Sequence, residues 1–455
     1  MLVQIRRRPD LPLRAQLEAE LRAAIRGGRL RSGAQLPSTR ALAADLGLSR
    51  GRVVEAYEQL LAEGYLTAQH GSGTRVATRA AAVASEPSAA VERRAPQRRY
   101  DFRPGVPDAS MFPRRAWLTC LRRVLTPAAS GALGYPDPRG VEEVRTALAT
   151  YLNRARGAAA QADRVVMCAG FTQGLRLVSR VLQRRGATSI AIEDPCHAPH
   201  RAAILSTGLQ VIPIPVDQGG LRVDQLRSTD AGAVLVTPAH QFPTGAVLAP
   251  ERRAAVLDWA RRRGAFVIED DYDAEYRYDR DPVGALQGLA PDRVAYAGSV
   301  SKTLAPALRI GWLVLPAALT ADVARLKFEE DLGSPALDQL AYADFLDRGE
   351  LDRHLRRTRL HYRRRRDVLI AALRRHIPAL RIRGVAAGLH LMVELDPKAD
   401  EKAIVAAAAK LSVRVYGVRV HRAHSPGPPA LLLGYGNLRD AAITEGVKRL
   451  ALVLA

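Results

Sequence analysis

One lysine in the C-terminal half of the chain stands in a setting suited to covalent chemistry. Lys302 follows Ser299-Val300-Ser301, directly after a predicted strand, and Arg309 comes seven residues later. A lysine amine can condense with an aldehyde, and hydroxyls together with a guanidinium can hold a phosphate group. Alone, such a lysine is more often a solvated or structural residue. The pattern therefore gains weight only from further elements with the same chemistry.

Carboxylates and a glycine-containing turn supply those elements. The predicted strand over residues 266–268 ends in Glu269-Asp270-Asp271-Tyr272, and a carboxylate at the end of a parallel strand points into the ligand crevice. Residues 168–174 follow another strand and open a helix, whose first N–H groups bind phosphate well. An aldehyde, a phosphate and a ring nitrogen that needs a carboxylate partner occur together in pyridoxal phosphate (PLP). The residues therefore predict a PLP site.

A second group of residues, near the N-terminus, is suited to DNA. Ser49, Arg50 and Arg52 stand at the predicted start of a helix, with Arg40 on the preceding helix and His70 in a glycine-rich turn. A helix in the major groove presents its N-terminal side chains to base edges, and arginine pairs with guanine or phosphate through two hydrogen bonds. Each arginine alone could equally be a solvated surface residue. Their arrangement is what indicates DNA binding.

Short helices and a hairpin must position this second group. Apolar residues recur every four positions in a first helix that ends at Gly27-Gly28, at Leu13, Leu17, Leu21 and Ile25. Ser38 and Ser49 are suited to the N-caps of a second and a third helix. Residues 65–67 and 74–76 read as strands on either side of Gly71-Ser72-Gly73. We therefore predict a winged helix-turn-helix domain over residues 1–76.

The remaining chain divides into a linker and an α/β domain. Residues 77–100 lose periodicity and are rich in Ala, Pro, Ser and Arg, which is typical of a linker. From residue 101 onward short β-rich runs alternate with helical stretches, which predicts a largely parallel sheet covered on both faces. We expect one domain over residues 101–455, with a smaller α+β subdomain from about residue 320.

Composition sets limits on compartment and partners. The chain has 455 residues, 68 basic and 46 acidic, which gives a net charge of +22 and favours polyanions such as nucleic acid. Three cysteines are too few for a disulfide scaffold or a CxxC-type zinc site, so no metal site is expected. The N-terminus has no apolar signal segment, and no run is long enough to cross a membrane. We therefore expect a cytoplasmic protein.

The N-terminal motif resembles a known family of repressors. The run LxxxIxxGxLxxGxxLPSxRxLAxxLGxSRxxVxxAYxxLxxxGYL, here Leu21 to Leu66, closes with Gly71-Ser72-Gly73-Thr74 and is similar to the GntR family of bacterial regulators. In that family the arginine after the LPS turn, the start of the recognition helix and the wing tip contact DNA. The resemblance thus implies DNA contacts for these residues: Arg40, Ser49, Arg50, Arg52, His70 and Gly71.

The C-terminal motifs resemble the fold-type I aminotransferases in order and spacing. They include residues 168–174, the turn 238–245 (PAHQFPTG), the strand end at Asp270 and the lysine at 302. The resemblance implies that Lys302 forms the internal aldimine, Asp270 pairs with the pyridine nitrogen and Tyr272 reaches the phenolic oxygen. It also implies a set of phosphate ligands: Gly170, Phe171, Thr172, Ser299 and Arg309.

The two domains together resemble the MocR subfamily of GntR-type regulators. The turn HQFPTG and the run EDDYDAEYRY are similar to that subfamily in detail. The resemblance implies a PLP-dependent transcription regulator that binds operator DNA, senses PLP or an amino compound, and forms a homodimer.

Three positions depart from the enzyme pattern. Phe242 stands where aminotransferases have an asparagine that bonds the phenolic oxygen of the cofactor, and His197 stands where many relatives have a ring-stacking tyrosine. The strand at residues 431–435 lacks the arginine that binds a substrate carboxylate. Arg422 is the candidate for this role, ahead of Arg414 and Arg419.

Three functional hypotheses follow from these residues. The first is the transcription regulator, in which the aldimine-bearing domain acts as an effector sensor. The second is a working aminotransferase with a DNA-tethering domain, against which Phe242 argues. The third is a DNA-binding protein with a degenerate, ligand-free domain, which is disfavoured because the residues needed for PLP chemistry are present.

Overall fold

The computed structural model describes residues 11–69, 73–77, 99–279, 283–424 and 427–454. The chain separates into two compact units, Met1–Pro96 and Gln97–Ala455. Each unit contains its own hydrophobic core.

The first unit is a three-helix domain with a β-ribbon. Its elements are α1 (Leu13–Arg26), α2 (Thr39–Leu46), α3 (Arg50–Ala62), β1 (Leu66–Gln69) and β2 (Gly73–Val76). The two strands pair antiparallel, with Leu66 opposite Val76. The apolar faces of the three helices converge on one core that includes Leu21, Leu42 and Tyr57. The predicted winged helix-turn-helix fold is confirmed.

Ser38 and Ser49 each precede a helix of this unit, but they differ in helix capping. The Ser38 hydroxyl accepts a hydrogen bond of 3.2 Å from the Ala41 N–H and so caps α2, as expected. Ser49 occupies the N-cap position of α3, but its side chain makes no capping hydrogen bond. Its hydroxyl is therefore not committed to the helix.

The second unit begins with a short strand, β3 (Tyr100–Asp101), and is built around an eight-stranded sheet. The sheet consists of β4 (Val165–Cys168), β5 (Ser189–Asp194), β6 (Gln210–Asp217), β7 (Gly220–Leu221), β8 (Ala233–Val236), β9 (Phe266–Asp270), β10 (Val294–Ser299) and β11 (Gly311–Val314), in the order β4-β11-β10-β9-β8-β5-β6-β7. The central strands from β10 to β6 run parallel, whereas β11 is antiparallel to both of its neighbours. The predicted largely parallel sheet is confirmed.

Helices cover both faces of this sheet. Successive strand residues point to opposite sides, so each face presents apolar side chains on which helices pack. The helices are α4 (Arg114–Leu125), α5 (Glu142–Arg156), α6 (Phe171–Arg184), α7 (Ala198–Leu205), α8 (Val223–Leu226), α9 (Pro250–Arg263), α10 (Ala317–Asp331) and α11 (Ala336–Asp347). Leu235 packs with Val178 of α6 on one face, and its neighbours Val234 and Val236 pack with Trp259 of α9 on the other.

A smaller α+β layer completes the second unit. It contains α12 (Glu350–His376), β12 (Arg381–Arg383), β13 (His390–Glu394), α13 (Glu401–Lys410), β14 (Val413–Arg414), β15 (Tyr416–Gly417), β16 (Ala430–Gly434) and α14 (Asp440–Leu454). Four strands form a sheet in the order β12-β13-β16-β15, and β14 pairs in parallel with β3. This layer has a separate core that includes Tyr362, Leu391 and Val447.

The boundaries of this layer differ from the sequence expectation. Tyr100, assigned to the linker, lies in β3 and belongs to the core of the smaller layer. Helices α10 and α11, assigned to the C-terminal subdomain, instead contribute to the cores around the large sheet, as Val323 and Tyr342 show. Apolar periodicity marks these helices as buried but does not identify the sheet that buries them.

Among the residues that the structure describes, no helix has both the length and the apolar character needed to cross a membrane.

Candidate functional site

A cavity of about 530 Å³ lies in the second unit, where several parallel strands end. Because the carboxyl ends of parallel strands meet at one edge of a sheet, loops distant in sequence converge there. The cavity wall includes Glu193 of β5, Thr237 after β8, Asp270 of β9 and Ser299 of β10. It also includes Lys302.

Lys302 brings an amine into this cavity. Burial lowers the pKa of the Lys302 amine from its usual value, although the nearby carboxylates of Asp273 and Asp270 oppose the shift. A lower pKa increases the fraction of neutral amine, which is the nucleophilic form. Gly105 faces this amine closely: its φ is +66°, and a Cβ added there would lie 3.2 Å from Lys302 Nζ.

Asp270 provides a buried carboxylate at the end of β9. Its Oδ2 lies 3.7 Å from His200 Nδ1, and its Oδ1 is buried without a hydrogen-bond partner among the described residues. Burial, followed by the charges of Asp271 and Asp273, raises the pKa of Asp270 well above its usual value. A buried carboxylate oxygen without a partner is costly. A ring N–H from a bound ligand would relieve this cost.

The acidic residues that flank Asp270 point away from the cavity. The Glu269 carboxylate accepts hydrogen bonds from the N–H groups of Leu286 and Gln287, at 2.8 and 3.0 Å. Asp271 forms a fully buried ion pair with Arg156, with 2.7 Å between Asp271 Oδ2 and Arg156 Nε. The alternation of side chains along a strand thus leaves Asp270 as the carboxylate of this run that lines the cavity.

Tyr272 reaches the cavity from the loop after β9, and its hydroxyl lies 3.1 Å from His240 Nδ1. The same nitrogen lies 3.0 Å from Asp273 Oδ2. His240 and Asp273 have no predicted role, although His240 lies in the turn PAHQFPTG and Asp273 in the run EDDYDAEYRY. Their proximity arises only from the fold.

Phe242 places an apolar ring where an amide was expected from the enzyme pattern. The ring packs edge-on against Tyr272, with 6.3 Å between centroids, and against His197, with 5.2 Å between centroids. It contributes no polar side-chain atom to the cavity wall.

A basic, glycine-containing corner of the cavity is suited to a phosphate. Gly170 is the N-cap of α6 and has a φ of +95°, and the helix continues with Phe171 and Thr172. The Arg309 guanidinium hydrogen-bonds to the Ala169 carbonyl and lies against Gly170, where an added Cβ would approach Arg309 Nη2 to 2.7 Å. The N-terminus of a helix with a guanidinium beside it favours a phosphate dianion.

Hydroxyl groups complete this corner. Ser299 and Ser301 both line the cavity, and the Ser299 Oγ accepts a 3.3 Å hydrogen bond from the Ser301 N–H. Four of the five expected phosphate ligands therefore line the cavity, and the fifth, Gly170, lies against the Arg309 guanidinium. Ser301 is an additional candidate.

His197 lies in the cavity wall as part of an aromatic cluster. Its ring is stacked with that of His421, with 6.1 Å between centroids and 17° between ring planes. Burial, with smaller contributions from His421 and Lys302, lowers the pKa of His197 to about 4. The ring is therefore neutral at pH 7 and is suited to stacking rather than to holding an anion.

Arg422 does not fulfil the expectation of a carboxylate ligand. Its Nη2 donates a 2.8 Å hydrogen bond to the Pro428 carbonyl, and Arg422 is absent from the cavity wall. Arg414 lies over the ring of Tyr416, and neither it nor Arg419 lines the cavity. The guanidinium that the structure does bring to the wall, besides that of Arg309, belongs to Arg103.

The predicted DNA contacts that the structure describes in the first unit are exposed side chains. Arg40, Ser49, Arg50 and Arg52 are all exposed, whereas Val53 and the rest of the opposite face of α3 are buried. The basic N-terminal turn of α3 is thus exposed to solvent, while its apolar face packs in the hydrophobic core of the unit. His70 and Gly71 lie outside the described residues.

Comparisons with known proteins match both units. Residues 13–76 match the family of bacterial regulatory proteins called gntR, and residues 111–450 match aminotransferase class I and II. The chain is 33% identical to the HTH-type transcriptional regulator YdeL of Bacillus subtilis, over 97% of this chain and 96% of that protein. It is also 33% identical to the probable rhizopine catabolism regulatory protein MocR of Rhizobium meliloti, over 97% of this chain and 93% of that protein.

A solved aminotransferase structure is similar as well. The α-aminoadipate aminotransferase LysN of Thermus thermophilus, solved with N-(5'-phosphopyridoxyl)-L-leucine, superposes with a TM-score of 0.71 at 25% identity. The match covers 78% of this chain and 91% of that one.

The buried pair of Arg156 and Asp271 leads to a stability prediction. Arg156→Met should lower the free energy of unfolding by about 3–5 kcal/mol, because it leaves a buried carboxylate without its cation. Arg180→Met is the matched control: its ion pair with Glu330 is partly exposed, and the loss should be about 1 kcal/mol or less. All three tryptophans lie in the second unit, so urea unfolding followed by tryptophan fluorescence measures this unit. Equal losses in the two variants would contradict the prediction.

Proposed function

Because this chain belongs to the MocR-type transcriptional regulators, which join a gntR-family domain to an aminotransferase class I and II domain, we propose that it binds operator DNA through α3 and senses an amino compound at Lys302. The observation that carries the sensing role is the cavity that joins the Lys302 amine, the unpartnered Asp270 carboxylate and the phosphate corner at Gly170. Its cofactor is PLP.

The residues of the cavity fit this cofactor. Asp270 would hold the ring nitrogen, Tyr272 the phenolic oxygen and His197 one face of the ring. The phosphate would be held by Gly170, Phe171, Thr172, Ser299 and Arg309. When bound, PLP supplies an aldehyde for which the Lys302 amine and the amine of an effector compete. The state of Lys302 would therefore report whether the effector is present.

Phe242 favours sensing over turnover. An enzyme that carries out repeated transamination benefits from a polar group at the phenolic oxygen, and the Phe242 ring here packs against Tyr272 instead. The alternative, an active aminotransferase tethered to DNA, is supported by the presence of Lys302, Asp270 and Arg309 in one cavity. Steady-state transamination assays with PLP-loaded protein separate the two functions.

The cofactor site is tested first by substitution of the lysine. In Lys302→Ala the visible absorbance of the PLP-loaded protein, near roughly 420 nm, should disappear because no amine remains to bind the cofactor covalently. Lys410→Ala, which removes an exposed lysine outside the cavity, should leave it unchanged. Asp270→Ala should weaken cofactor binding by roughly 1.5–3 kcal/mol through loss of a charge-assisted hydrogen bond. An unchanged spectrum in Lys302→Ala would refute the assignment.

The DNA surface is tested separately. Arg50→Ala and Arg52→Ala should each reduce operator affinity by about 1–3 kcal/mol if the side chain contacts a base. Arg40→Ala should weaken binding to all sequences alike and flatten its salt dependence, as loss of a phosphate contact does. Fluorescence anisotropy at several salt concentrations measures both effects, and the visible spectrum serves as the control. Wild-type affinity in the Arg50 and Arg52 variants would exclude α3 as the recognition helix.

We further propose that the regulator is a homodimer. Support comes from large apolar side chains on and after α4 that are 45–87% exposed, namely Leu118, Leu125, Leu133 and Tyr135. These four side chains form a cluster in the sequence, within residues 118–135, and exposed large apolar residues concentrated in this way are typical of an interface. In sedimentation, wild type should be a dimer at micromolar concentration, and Leu125→Arg/Leu133→Arg should shift it toward monomer. Leu452→Arg, at a side chain that is 73% exposed outside this cluster, should remain dimeric. A monomeric wild type would refute the proposal.

A further inference from the structure

The segment Arg103–Gly105 forms one wall of the cavity beside the reactive amine. All three of its residues line the cavity, and the positive φ of Gly105 lets the backbone pass close to Lys302 Nζ. The segment is anchored at its N-terminal end through the backbone of Phe102. The Phe102 N–H donates to the Arg414 carbonyl at 2.9 Å, and the Phe102 carbonyl accepts from the Gly434 N–H at 2.9 Å. A ligand whose amine meets Lys302 therefore has this wall within reach of its remaining atoms.

The guanidinium of Arg103 is oriented by a tyrosine. Its Nε donates a 3.0 Å hydrogen bond to the Tyr416 hydroxyl, which in turn donates a 2.9 Å hydrogen bond to Asp101 Oδ1. In the described part of the chain, no hydrogen bond or ion pair engages the two terminal nitrogens of Arg103. A guanidinium held through Nε with free terminal nitrogens can bind a carboxylate through two parallel hydrogen bonds.

The other basic groups of the cavity are not available to an anionic ligand. Lys302 is committed to the cofactor, and Arg309 lies in the phosphate corner. The histidines of the wall are neutral at pH 7, because burial lowers the pKa of His197 and His421 to about 4 and that of His200 well below its usual value. Among the described residues of the wall, Arg103 is thus the cation that remains for an effector.

We propose that Arg103, oriented by Tyr416, binds the carboxylate of the effector, so that the sensed compound is an amino acid rather than a simple amine. This inference rests on the proposed function, in which the amine of the effector meets the cofactor at Lys302. It replaces Arg422, whose guanidinium is directed to the Pro428 carbonyl. It also gives Arg103 a role that sequence motifs did not indicate.

Pairs of compounds that differ only in the carboxylate provide the test. The probes are L-leucine with 3-methylbutylamine, and 5-aminopentanoate with butylamine, each titrated into the PLP-loaded full-length protein while its visible spectrum is followed. In wild type at least one amino acid should act at a lower concentration than its paired amine. In Arg103→Gln that amino acid should need about 10- to 100-fold more, the range expected for loss of a charge-assisted pair. Its paired amine should change less than twofold.

Three further variants separate binding from folding. Arg103→Lys keeps the charge and should recover part of the affinity for the amino acid. Tyr416→Phe keeps the ring but frees the guanidinium, and should weaken amino-acid binding less than Arg103→Gln does. Arg422→Gln is the matched control and should behave as wild type. Without effector, the visible band of the PLP-loaded protein should be retained in all of them, which shows that the second unit is folded.

The outcomes distinguish this inference from the function on which it rests. The inference is overturned if Arg103→Gln weakens both members of a pair equally or neither, or if Arg422→Gln produces the selective loss. It is also overturned if wild type responds alike to both members of each pair, or to none of the four compounds. The proposed function survives these results as long as Lys302→Ala abolishes the visible band of the wild-type protein. Absence of that band in wild type overturns both.

Discussion

The buried ion pair between Arg156 and Asp271 holds the functional edge of the sheet in position. Asp271 lies between the two residues assigned to the cofactor ring, and it also accepts a 2.6 Å hydrogen bond from the Tyr296 hydroxyl. Its carboxylate is thus tied to α5 and to β10, away from the cavity. Neither charge can lose its partner in this buried position without a large cost. The pair thus holds Asp271 on the side of the strand end that is opposite to Asp270, which lines the cavity.

The same edge brings acidic and basic groups into one cavity. Carboxylates lie at the ends of β5 and β9, whereas Arg309 and the N-terminus of α6 form the basic corner. His197 and His421 line the same cavity and add no charge at pH 7, because burial lowers the pKa of each to about 4. A ligand with a ring N–H and a phosphate is held in one orientation by this pattern. Arg103 adds a cation for the carboxylate of the proposed effector.

The two units have separate hydrophobic cores and carry different kinds of candidate site. In the first unit, apolar residues of α1, α2 and α3 pack together so that the basic turn at Arg50 stays exposed. In the second, the sheet is buried on both faces, and the carboxyl ends of its parallel strands line the cavity. The basic turn therefore lies on a surface, whereas Lys302 and Asp270 line a cavity.

Local order in the sequence determined the elements and most of the candidate site. Continuous apolar runs identified the strands, the Ser38 cap identified α2, and the strand-end residues Lys302 and Asp270 were found because the edge of a parallel sheet collects such groups. Tertiary structure alone decided which distant residues meet. The fold brings His240 beside Tyr272 and Arg103 beside Tyr416. It also directs Arg422 to the Pro428 carbonyl and packs α10 and α11 against the large sheet. The reason is that hydrophobic periodicity indicates whether a side chain is buried, whereas the residues that it contacts depend on how distant segments of the chain pack together.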